Sequence, residues 1–93
     1  MKEIKVSMVV GVGKVLNYVK AHPNADTEEV MRHIMKSVDS KRDEKLAAIA
    51  AASRALKFKE KNPKANDKQI MQAVMNQTNE ILTSLMTNEE ISL

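Results

Sequence analysis

Two stretches of the chain carry the same order of apolar and polar positions, forty residues apart. Val15 to Met35 reads VLNYVKAHPNADTEEVMRHIM, and Ala55 to Met75 reads ALKFKEKNPKANDKQIMQAVM. Leu16/Leu56, Pro23/Pro63, Ala25/Ala65, Met31/Met71 and Met35/Met75 are identical; Tyr18/Phe58, Asp26/Asn66, Val30/Ile70 and Ile34/Val74 are conservative exchanges. Both prolines and both aromatic residues fall into one register, so the sequence reads as an internal repeat.

Each copy predicts a helix, a short turn and a second helix. Pro23 and Pro63 end the first helices, because proline disfavours helical geometry in the residue before it. Asp26 and Asn66 follow as N-caps, and Glu29 and Gln69, three residues on, complete a capping box in each copy. The second helices then carry one apolar stripe each: Val30, Met31, Ile34, Met35 and Val38 in the first copy, and Ile70, Met71, Val74, Met75, Thr78, Leu82 and Leu85 in the second.

The first helices are less regular. Asp39 or Ser40 is a candidate cap for a helix running to about Lys61, with Leu46, Ile49, Ala50, Ser53, Leu56 and Phe58 toward the core. By the offset, Val6, Val9, Val10, Gly13, Leu16 and Tyr18 take that side of the opening helix. Ile4, Val6, Met8, Val10 and Val12 alternate and are mostly β-branched, which is also a strand pattern. Helix is preferred because the partner segment is alanine-rich, although Gly11 and Gly13 each weaken it by about 0.5–1 kcal/mol relative to alanine. Small residues at Gly13/Ser53 and Val10/Ala50 predict the place where the two first helices cross.

The expected fold is therefore all-α: four helices from two tandem helix-turn-helix hairpins related by a pseudo-twofold axis. One domain spans 1–93, with copies at about 4–39 and 40–86 and a tail over 87–93. Thr87-Asn88-Glu89-Glu90 offers one more capping box there, which either starts a short final turn around Ile91 or belongs to a fraying tail.

Composition narrows the function more than it defines it. With no cysteine the chain has no thiolate nucleophile, disulfide or cysteine-based zinc site. The longest apolar stretch, Leu46 to Ala52, falls far short of the roughly 20 residues of a membrane span. The opening segment has no convincing signal-peptide cleavage pattern, and a cytoplasmic location is expected. Net charge is +3, unevenly spread: Arg54, Lys57, Lys59, Lys61, Lys64 and Lys68 face only Glu60 and Asp67 between positions 54 and 68. Such a stretch is either a solvated helix end or an attraction for an acidic partner or nucleic acid.

A search for catalytic groups is negative. His22 sits at a helix end, where imidazole meets free carbonyls. Glu29 and His33 lie four apart, yet no third metal ligand has interpretable spacing, and the second copy has Gln69 and Ala73 there. Gly11-Val12-Gly13-Lys14 lacks the spacing, hydroxyl and strand–helix context of a phosphate loop. Ser53 and Ser84 have no histidine partner. No cofactor is expected, and an enzyme is not.

Two binding features remain. Met31, Met35, Met71 and Met75, with Leu82 and Leu85, form apolar ridges suited to core packing or to an adaptable contact surface. Lys68, Gln69, Gln72, Asn76 and Asn79 follow helical spacing on the fourth helix, next to Lys57, Lys61 and Lys64. Amides can pair with adenine edges while lysines hold phosphates. The order helix, proline turn, capped helix loosely resembles the first two helices of helix-turn-helix domains, without a diagnostic residue; Asp26, Glu28 and Glu29 oppose that likeness in the first copy. The leading expectation is a non-enzymatic helical interaction or regulatory protein, a dimer or the binder of another protein. The alternative is a nucleic-acid-binding regulator using the basic, amide-rich face.

Overall fold

The computed structural model describes residues 2–38 and 41–83. Four helices follow in order: α1 (Lys2–Ala21), α2 (Thr27–Ser37), α3 (Arg42–Lys61) and α4 (Asp67–Asn76). After a turn at Gln77 the chain is helical again over 78–83. No strand occurs among the described residues. The alternating valines of residues 4–12 therefore lie in α1, which buries Met8, Val12, Val15 and Leu16 at helical spacing.

The long helices α1 and α3 make the principal contact of the fold, and α2 and α4 each pack against both of them. The face of α3 in the core is almost entirely alanine: Ala47, Ala48, Ala51, Ala52 and Ala55, with Leu56. Gly11 opposes this surface so closely that a Cβ there would lie 2.4 Å from the Ala48 carbonyl oxygen. Its backbone is ordinary helix, with no positive φ, so the glycine is required by proximity alone.

This arrangement corrects the expected inner face. Val6, Val9, Val10 and Leu46 are exposed, and Ile49, Ala50 and Ser53 are only partly covered. Gly13 has open space around its Cα, so the helices meet at Gly11/Ala48 and not at Gly13/Ser53. The physical reason is that alanines two or three deep in a crossing allow more backbone contact than larger side chains do, and the larger residues rotate outward. Leu16 and Leu56 are buried as expected, while Tyr18 and Phe58 lie at the core's edge.

Both proline corners have the same backbone bonding. His22 N–H donates to the Tyr18 carbonyl (2.8 Å) and Ala25 N–H to that of His22 (3.0 Å); Asn62 donates to Phe58 (2.9 Å) and Ala65 to Asn62 (2.9 Å). The following caps differ. Asn66 and Gln69 form a full capping box, each side chain bonding the other's backbone N–H. Asp26 accepts from the Glu29 N–H at 2.8 Å, but the Glu29 carboxylate accepts from the Tyr18 hydroxyl instead of returning to Asp26. The expected first box is thus only half made. At the start of α3 the capping position is Lys41, without a side-chain bond; Asp39 and Ser40 lie outside the described residues.

Val30, Ile34, Val38, Ile70, Val74, Thr78 and Ile81 bury the inner stripe of the shorter helices. The expected stripe passed from Thr78 to Leu82 and missed Ile81, which lies three residues after Thr78 and eleven after Ile70, on the same helical face. Met31 and Met71 pack against the core's edge, Met75 and Leu82 are partly covered, and Met35 is 52% exposed. Met35 is thereby removed from the expected core stripe. Leu85, Met86 and the Thr87–Glu90 motif lie outside the described residues.

Two side-chain ties close the end of the molecule that carries the prolines. Lys20 pairs with Asp67, and Thr27 Oγ1 donates to Glu60 at 2.9 Å. Since α2 and α4 start just after α1 and α3 stop, these ties put the C-terminal ends of α1 and α3 at one end of the fold.

The two glycines of α1 should respond oppositely to alanine. Gly11→Ala forces backbone apart and should lower unfolding free energy by about 1–3 kcal/mol despite better helix propensity. Gly13→Ala meets nothing and should raise it by about 0.5–1 kcal/mol. Denaturant midpoints of the two variants decide the point.

Candidate partner-binding face

The candidate residues of the second copy gather around the Pro63 corner and the outer face of α4. A cleft of about 610 Å³ is lined by Phe58, Lys61, Asn62, Pro63, Lys64, Ala65 and Gln69. Next to it, Lys68, Gln69, Gln72, Ala73 and Asn76 line a shallower depression of about 370 Å³. Gln69 belongs to both, so the two form one continuous surface. Lys57 is exposed on α3 one turn before Lys61 and lines neither hollow.

Local bonding explains why this surface is basic. The two carboxylates of the 54–68 stretch are engaged toward the other sequence copy, Glu60 by Thr27 and Asp67 by Lys20. Arg54 is committed inward, with Nη1 donating to the Gln77 Oε1 at 2.7 Å beneath the turn after α4. Lys57, Lys61, Lys64 and Lys68 remain exposed. Their equivalents in the first copy are Asn17, Ala21, Asn24 and Glu28, and Gln69 replaces Glu29. On one backbone plan, the charged residues lining the second surface are all lysines, whereas the first mixes Glu28 and Glu29 with Arg32 and Lys36, and Arg32 bonds Glu28 at 3.1 Å.

The amides are less free than their spacing implies. Gln69 Oε1 accepts from the Asn66 backbone N–H, and Gln72 Nε2 donates to Asn76 Oδ1 at 3.0 Å. Each retains hydrogen-bonding capacity, but the pairs hold one another along the helix. Phe58, Asn62 and Ala65 were absent from the expected set. The signal that marks them is the comparison of copies at the corner, where Asn62 and Ala73 replace His22 and His33.

In the first copy the equivalent space is filled. The Tyr18 ring packs against those of His22 and His33, with centroids 4.3 and 4.2 Å away, and its hydroxyl donates to Glu29 Oε2 at 2.8 Å. Ser37 bonds the far side of His33. Glu29 and His33, considered above as two metal ligands, are thus occupied with Tyr18 and Ser37; no cluster of three ligating side chains occurs among the described residues. Asn62 and Ala73 bring no ring to Phe58, and the cleft stays open.

No helix among the described residues is long and apolar enough to cross a membrane. Comparison with protein-family models, curated proteins and solved structures returned no match. The case for function therefore rests on these side chains.

The tyrosine cluster has a measurable consequence. The Glu29 carboxylate accepting its hydroxyl, with partial burial and the carboxylate's charge, raises the Tyr18 pKa above 10.0. The neutral phenol is favoured on folding, so its stabilisation is present below the unfolded value and disappears as pH rises through the folded one. Tyr18 is the single tyrosine. A near-ultraviolet absorbance titration should give a midpoint above that of unfolded chain, and Glu29→Gln should move it downward.

Proposed function

We propose that the protein is a non-enzymatic helical binding module whose two sequence copies are tandem helix-turn-helix hairpins about a pseudo-twofold axis. The support for that arrangement is reciprocal: position 20 meets 67 while position 60 meets 27, and buried positions such as Leu16/Leu56, Val30/Ile70 and Ile34/Val74 recur forty residues apart. The copies share a frame and differ in surface chemistry.

The partner this geometry favours is nucleic acid, held by the charges of Lys57, Lys61, Lys64 and Lys68 around the Pro63 corner and the start of α4. The carrying observation is the set of four exposed lysines around an open corner, where the equivalent first-copy positions hold Asn17, Ala21, Asn24 and Glu28. Neutralising phosphates releases condensed counterions, so affinity would fall steeply with salt. Fluorescence anisotropy with labelled DNA and RNA should show that fall, and Lys64→Glu with Lys68→Glu should abolish binding while the far-ultraviolet dichroism is unchanged. Salt-independent binding, or full binding by the double variant, removes the reading.

Self-association is the second reading, favoured by the exposure of Met35 (52%), Val6 (61%), Val9 (41%), Val10 (43%) and Leu46 (39%). Exposed apolar residues of this size are commonly covered in an assembly. Light scattering should then report a dimer that Leu46→Lys or Met35→Lys converts to monomer. A strict monomer at all accessible concentrations ends this alternative.

A further inference from the structure

We propose that the cleft beside Pro63 binds single-stranded nucleic acid, with Phe58 as the platform for one stacked base and Lys61 and Lys64 holding the phosphates on either side. This deepens the nucleic-acid reading above and rests on it.

The cleft joins two elements that single-strand recognition requires. Phe58 lines it and is only partly covered by the core, and Lys61 and Lys64, both exposed, line the same hollow. A base stacked on an aromatic ring between lysine-held phosphates is the recurring solution for binding strands without sequence reading. The volume, about 610 Å³, lies within the roughly 300–1,000 Å³ of ordinary ligand clefts. The first copy marks the contrast. There Tyr18 already packs against two histidine rings and is bonded to Glu29, and Ala21 and Asn24 stand where Lys61 and Lys64 would hold phosphate.

A duplex fits this site less well. Paired bases present edges, whereas a ring recessed in a cleft can use only the face of a base that has left its stack. Edge reading by α4 would require free amides, yet Gln69 is held in the cap and Gln72 is bonded to Asn76. What remains available is charge and a π-surface.

The test compares oligothymidylate with a duplex of equal length, both at one low salt concentration, using the intact protein. The single strand is expected to bind about tenfold tighter or more. Phe58 is the only phenylalanine, so its ring protons are identifiable by NMR, and an upfield shift on adding the strand reports stacking directly. Phe58→Leu keeps apolar bulk at the core's edge and should weaken strand binding roughly tenfold, and Phe58→Tyr should restore most of it. Should the leucine variant not fold, the ring shift in the native protein decides. Equal affinity for strand and duplex, with ring protons unmoved, overturns the cleft while leaving the broader nucleic-acid reading intact. Absence of binding to both overturns the two together.

Discussion

The close approach of α1 and α3 is the constraint on which the remaining structure depends. Gly11 against the Ala48 carbonyl leaves no room for even one methyl group, and the alanines around it let the two backbones lie together over several turns. Close backbones come with small side chains on α3, so the larger core residues come from elsewhere: Met8, Val12, Val15 and Leu16 on α1, Val30 and Ile34 on α2, Ile70 and Val74 on α4, and Ile81 beyond it. That division accompanies two short, strongly one-sided helices and two long ones whose apolar residues are spread over more than one face.

This same division governed what could be read in the sequence. The all-helical fold and the proline corners were legible, because turn chemistry and a one-sided stripe specify short helices strongly. The phase of the long helices was not. In a run such as Ala47–Ala52 every face is small and apolar, and in α1 valines occupy both the buried and the exposed sides, so periodicity favours no single face. Carrying the face of Leu46, Ile49 and Ala50 back by forty residues then selected Val6, Val9 and Val10, whereas the fold turns Met8, Val12 and Val15 inward against the α3 alanines. Equally, a capping box spelled by Asp26 and Glu29 could not reveal that Tyr18 would claim the glutamate, since that contact joins two helices.

The candidate surface was half visible in the same way. Lysines and amides at helical spacing announce an exposed face whatever the packing, and Lys61, Lys64, Lys68, Gln69, Gln72 and Asn76 do line adjoining hollows. Phe58 was read as a core residue, and it packs against the core while also lining the hollow; that opening coincides with Asn62 and Ala73 where the first copy has histidines. An opening made by absent side chains leaves no positive pattern in one copy taken alone.

The ties Lys20–Asp67 and Thr27–Glu60 have a final consequence. Each copy's long helix grips the beginning of the other's short one, by an ion pair in one direction and a neutral donor in the other. The two contacts bridge the same pair of hairpin ends, so drawing α1 and α2 away from α3 and α4 breaks both at once.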